Sequence, residues 1–97
     1  GYVLRNEIKI AEKFIKTENI KPYNKKYYNL LSKAINDNSK CYIEYYSKER
    51  DAITKRVIRP YNLIILDNEW GVAAYCETKE EIRHFYLSRI KFIKNIM

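Results

Sequence analysis

Glycine and proline are scarce in this 97-residue chain, which holds two of each. So few glycines leave few positions that take a positive φ cheaply, and this excludes a glycine-rich phosphate loop. Histidine occurs once, as His84, and cysteine twice, as Cys41 and Cys76. A metal site needs more ligands at closer spacing, so no metal and no cofactor is expected. The two cysteines read as small buried hydrophobes of a reducing cytosol. A disulfide would require their Cα atoms to come within about 7 Å. No apolar run approaches the roughly 18 residues of a membrane span. The longest aliphatic run, Leu63-Ile64-Ile65-Leu66, suits a buried strand. The sequence starts at Gly1 rather than at methionine, and no signal-peptide pattern follows. It is expected to be a piece of a larger cytoplasmic protein.

Catalytic patterns are missing too. There is no nucleophile elbow, and no Ser or Cys stands in a catalytic context. The carboxylates of Asp37, Glu49, Asp51, Asp67, Glu69, Glu80 and Glu81 fall mostly in turns, where water solvates them. The chain is therefore read as a non-enzyme.

What is abundant is tyrosine, with ten residues, and basic charge, with a net +7. The basic excess is uneven. Residues 1–40 carry nine Lys/Arg against four Asp/Glu, and residues 41–97 carry ten against eight. The first segment reads as two helices. Leu4, Ile8, Ala11 and Ile15 recur at helical spacing with Phe14 beside them. Pro22 interrupts the pattern. A second helix is predicted from about Asn24, a suitable N-cap, to Asn36, with Tyr27, Leu30, Leu31, Ala34 and Ile35 on one side.

From Cys41 onward the pattern is that of strands: Cys41 to Tyr46, Ile53 to Arg59 ended or bent at Pro60, Tyr61 to Leu66, Trp70 to Cys76, and Ile82 to Leu87. Ser88 would cap a short final helix with Ile90, Ile93 and Met97 on one side. Five short strands with tight turns suggest a meander curled into a small barrel. The expected class is α+β: two helices, a five-stranded barrel, and a short closing helix.

Arginine placement carries more information than total charge. Residues 1–40 hold eight Lys and one Arg, Arg5, whereas residues 41–97 hold five Lys and five Arg: Arg50, Arg56, Arg59, Arg83 and Arg89. A guanidinium matches phosphate or carboxylate with two hydrogen bonds and stacks on aromatic rings. Arg beside Tyr is the composition of a nucleotide or oligonucleotide site. The bland alternative is that these arginines lie along aromatic surface and pair with loop acids. On an unbroken strand Arg83, Phe85, Leu87 and Arg89 would share one face; a break near Ser88 would cancel that.

Residues 30–97 resemble a WYL domain. Leu31-Ser32-Lys33-Ala34-Ile35 followed by Cys41-Tyr42-Ile43-Glu44-Tyr45 is similar to the family's leading helix and first strand. Arg56-Val57-Ile58-Arg59-Pro60 is similar to its Arg-x3-Pro element, and Trp70 to Cys76 to its naming strand. Arg83-His84-Phe85 and Arg89-Ile90 are similar to its Arg-x-Phe and closing Arg-Ile. Two positions depart: Gly71 stands where the family has Tyr, which would admit a bulge or a closer ligand approach, and Ser88 stands where Asp is usual.

The resemblance implies an Sm-like β-barrel over residues 30–97 behind a helical linker, residues 1–29. It also implies a ligand sensor of bacterial helix-turn-helix transcription regulators, with DNA bound through an upstream domain. Its ligand would be anionic and nucleic-acid-derived, a nucleotide or single-stranded oligonucleotide. By motif the ligand residues are Tyr45, Arg56, Arg83 and Arg89. Arg59, Trp70, Tyr75 and His84 rank lower: Arg59 is off-motif, Trp70 and Tyr75 also read as core aromatics, and His84 as a surface residue. Two rival readings stand beside this one. One is a protein-interaction or homodimerisation module of a regulator or of a defence or repair protein. The other is duplex binding by the lysine face of the first segment.

Overall fold

The computed structural model describes residues 20–96. The helix expected around Leu4 to Ile15 lies outside them. Among the described residues there is one α-helix, α1 (Lys25–Asp37), followed by β1 (Cys41–Ser47), β2 (Ala52–Leu66), β3 (Glu69–Cys76), β4 (Glu81–Tyr86), a single 3-10 turn (Leu87–Arg89) and β5 (Ile90–Asn95).

Helix α1 begins where the Asn24 side chain accepts the Tyr27 N–H at 3.1 Å, relieving one of the donors a helix start leaves unpaired. It ends at Asn38, in the left-handed region at φ 54°, where the Ser39 N–H returns to the Ala34 carbonyl at 2.9 Å. Leu31 and Ala34, three residues apart, carry its fully buried face. They pack on the concave side of the sheet with Ile43, Ile58, Val72, Phe85 and Ile93.

The sheet is antiparallel, in the order β4-β3-β2-β1-β5. Strand β2 serves two partners, pairing β1 through its first half and β3 through its second. Fifteen extended residues would span about 50 Å, but the domain measures only 34 Å along its longest axis. The strand must therefore curve. Its register shifts between Pro60 and Asn62, where the missing proline N–H does least harm to the ladder. Pro60 thus bends one long strand rather than separating two, and Tyr61–Leu66 is not a strand of its own.

The expected final helix is also absent. After one 3-10 turn, residues 90–95 form β5 along the far side of β1. Ile90 and Ile93 are both buried although they are three apart. A β-bulge explains this: Ile90 faces Tyr45, Phe92 faces Glu44, and the register shifts between Glu44 and Tyr45. The bulge imitates helical spacing.

The expected barrel is not formed either, since β4 and β5 are the two edges of an open sheet. It is nevertheless strongly curled. Flat strands would put β1 and β4 about 14 Å apart, yet the Tyr45 and Phe85 rings meet edge-on with centroids 4.9 Å apart. The Tyr45 hydroxyl also accepts the Tyr86 N–H at 3.0 Å.

Gly71 admits neither a bulge nor a ligand. A Cβ there would lie 2.9 Å from the Phe85 carbonyl oxygen, so the missing side chain lets β4 pack closely on β3. Cys41 and Cys76 are both free and buried, each opposite Ile58 on either side of β2, which separates them by roughly 10 Å.

Candidate ligand-binding cleft

Curling brings the end of β1 and the start of β2 across to β4 and the 3-10 turn. Between them is an open cleft of about 230 Å³ lined by residues from all four. The side chains that give it chemistry are Tyr45, Arg56, Arg83, His84, Phe85 and Arg89, with Ser47, Lys48, Glu49 and Tyr86 at its margins.

Tyr45 is 7% exposed. Its ring packs on Phe85 while its hydroxyl holds the backbone of Tyr86, so it fixes the two walls of the cleft relative to each other. Arg56 points from β2 into the same space and is 6% exposed, the one buried charged residue among those described. Its Nε donates to the Thr54 hydroxyl at 3.0 Å, and Nη1 to the Cys76 sulfur at 3.8 Å. Thr54 in turn donates to the Tyr45 carbonyl at 3.0 Å, which locks the row. The guanidinium carbon lies 5.6 Å from the centre of the Phe85 ring. Among the described ion pairs none involves Arg56. Its shell orients the fork but leaves the charge unanswered.

Arg83, on β4, is held by Glu81 through Nε at 2.8 Å and through Nη2. That pair is about half exposed and so only weakly binding. Arg89, on the 3-10 turn, lies over the Tyr86 ring at 4.7 Å and forms no ion pair among the described residues. Its field reaches both neighbouring phenols. Hydrogen bonding to Asp51 raises the pKa of Tyr46 and hydrogen bonding to Asp67 raises that of Tyr86, and in each case Arg89 pulls the other way.

Four of the eight residues singled out from the sequence thus meet as the motif set Tyr45, Arg56, Arg83 and Arg89, and His84 joins them at the rim. The strand does break before Ser88, but Arg89 reaches the cleft by way of the 3-10 turn. The other three lie elsewhere. Arg59 is on the convex side, bound to Glu77 at 2.7 Å beside Lys40 at 3.2 Å. Those two cations hold the Glu77 carboxyl below its ordinary pKa, Arg59 most strongly. Tyr75 stands between Arg59 and Ile82 in the strand register. Trp70 is buried and meets Tyr28 and Tyr23 edge-on at 5.1 and 6.3 Å. Those three rings line a larger groove, about 420 Å³, but among the described residues its cations are the exposed Lys21 and Lys25, with no arginine. Chemistry rather than size favours the smaller cleft.

Sequence reasoning missed Phe85 and Tyr86 as cleft walls and the Ser47–Glu49 margin. The aromatic pair was available, since it lies between Arg83 and Arg89. The margin was not, because only the curl of the sheet brings it near.

Comparison with known proteins agrees with this architecture. The WYL domain model matches residues 26–94. The solved structure of Proteasome accessory factor B/C (PafBC) of Arthrobacter aurescens superposes with a TM-score of 0.68 at 27% identity, covering 84% of this chain and 12% of that one. The chain thus spans a small part of that protein. No curated protein matches it.

Proposed function

Because the chain belongs to the WYL-domain family, we propose that it is the ligand-sensing module of a regulator, binding an anionic, nucleic-acid-derived ligand in the Tyr45–Arg56–Arg89 cleft. The observation that carries this is Arg56. A buried guanidinium is costly unless an anion answers it, and here none of the described acids does. The remaining lining suits a nucleotide. Arg89 and Arg83 stand on the same cleft for phosphate, and Tyr45, Phe85 and Tyr86 supply rings beside them for a base. The reading is of a binding module rather than an enzyme.

The test is fluorescence anisotropy with short single-stranded DNA at two salt concentrations. The wild-type chain binds, more weakly at the higher salt, and Arg56→Ala and Arg83→Ala each weaken binding. No binding by wild type, or binding by both variants unchanged from wild type, overturns the reading. The rival reading, self-association, is supported by the two open sheet edges, where Ile82 of β4 is 64% exposed and Phe92 of β5 is 42% exposed. Light scattering decides it: a strictly monomeric chain removes this alternative.

A further inference from the structure

The wall of the cleft formed by Tyr86 to Arg89 is tied by two hydrogen bonds to the β2–β3 turn. The Tyr86 hydroxyl donates to Asp67 at 2.6 Å, and the Ser88 hydroxyl donates to Glu69 at 2.7 Å. The same turn holds the chain where it arrives from residues 1–20. The Lys21 N–H donates to the Asn68 carbonyl at 2.7 Å, and the Lys21 ammonium lies 3.6 Å from the second oxygen of Glu69. That carboxylate is 15% exposed, so it is better shielded than a surface acid and faces both neighbours at once. Asp67 and Asn68 both have positive φ, 52° and 62°, with Leu66 paired to Glu69 across them. Two left-handed residues closing a hairpin make a tight turn.

From these contacts we propose that the Asp67–Glu69 turn is a relay, through which an anion in the cleft tightens the attachment of the incoming chain at Lys21. The relay rests on the cleft being the ligand site. An anion that engages Arg89 fixes the 3-10 turn and with it Ser88. Contact with Tyr86 fixes its hydroxyl on Asp67. Both restrain the hairpin that carries the Asn68 carbonyl. The two states are Lys21 held on that carbonyl and Lys21 released, and the ligand acts by binding the held state better. By linkage, holding Lys21 on that carbonyl strengthens ligand binding by the same factor by which the ligand strengthens the hold.

Amide hydrogen exchange by NMR on the 97-residue chain tests this in two arms. Without ligand, Asp67→Gly, which keeps the positive φ available, and Glu69→Ala are expected to speed exchange at Lys21 about tenfold. The sheet amides of Ile43 and Val72 are expected to stay unchanged, and Glu69→Gln, which still accepts from Ser88, to fall between. Equal exchange at Lys21 in all variants overturns the relay. In the second arm a single-stranded DNA hexamer is added. It should slow Lys21 exchange in the wild type, and less in Asp67→Gly, where only the Ser88–Glu69 link remains. A hexamer that binds without changing Lys21 overturns the relay alone. A hexamer that does not bind overturns the cleft as ligand site, and the ligand relay with it.

Discussion

Replacing Arg56 with methionine separates the cost of a buried charge from its use. The side chain is 6% exposed and makes two side-chain hydrogen bonds, to Thr54 and to the sulfur of Cys76. A hydrogen bond to a charged donor is worth about 1.5–3 kcal/mol, but the 3.8 Å contact to a thiol is a weak one. The ring contact with Phe85 adds about 1 kcal/mol. Losing all of these costs roughly 3 kcal/mol. Against this, an ion held in a protein interior carries a penalty of several kcal/mol. Methionine fills a similar volume with an unbranched chain. No partner is stranded, since Thr54 keeps its bond to the Tyr45 carbonyl. The difference predicts that Arg56→Met leaves the ligand-free domain as stable as wild type or stabilises it by about 1 kcal/mol, a rise of roughly 4–8 °C in Tm for a domain of this size. Thermal unfolding followed by circular dichroism measures this, and anisotropy with single-stranded DNA measures the accompanying loss of affinity. A fall in stability beyond about 2 kcal/mol refutes the reasoning, because it shows that Arg56 holds the fold together. Unchanged affinity refutes its role in binding.

Two further outcomes follow from the same geometry. Gly71→Ala places a Cβ 2.9 Å from the Phe85 backbone oxygen, so β4 must shift; this should cost about 1–3 kcal/mol in chemical denaturation, and a variant as stable as wild type would show that β4 gives way freely. Because Arg59 and Lys40 depress the Glu77 pKa, this group contributes stability that is complete above the ordinary carboxylate pKa and lost as pH falls through the folded value; Arg59→Gln should therefore lose less stability than wild type between neutral and acid pH, and parallel acid-unfolding curves would refute that.

The helix and most of the strands were legible because local signals and tertiary packing agree there. Asn24 caps where an Asn should, and Cys41, Ile43 and Tyr45 alternate inward as a half-buried strand must. The errors occur where one residue breaks a period. The bulge opposite Glu44 and Tyr45 puts Ile90 and Ile93 on one face at helical spacing, so the sequence of this strand carries the pattern of a helix. Pro60 signalled interruption, but the bulge beside it let β2 continue to Leu66. The cleft was legible as a set of residue types and not as a place. Arg59 has the same chemistry as Arg56 and stands three residues away, yet strand parity sends it to the convex side and to Glu77. Sheet curvature determines which arginines converge, and no spacing in the sequence encodes it.

What distinguishes the arginines of the sheet is what answers each charge. Arg50 is exposed in the β1–β2 turn, where water solvates it. Arg59 is met by a carboxylate that already serves Lys40. Arg83 is met by Glu81 at a half-exposed site, an arrangement an incoming phosphate can compete with at little cost. Arg89 is met by the face of Tyr86, and Arg56 by a hydroxyl, a sulfur and the face of Phe85. Rings and neutral acceptors orient a guanidinium without cancelling its charge, so Arg56 and Arg89 keep theirs although residues 41–97 carry only a small net charge. The total of +7 could be redistributed over the surface without touching this cleft. A single carboxylate placed beside Arg56 could not, because it would supply from within the chain the anion that the proposed ligand would bring from outside.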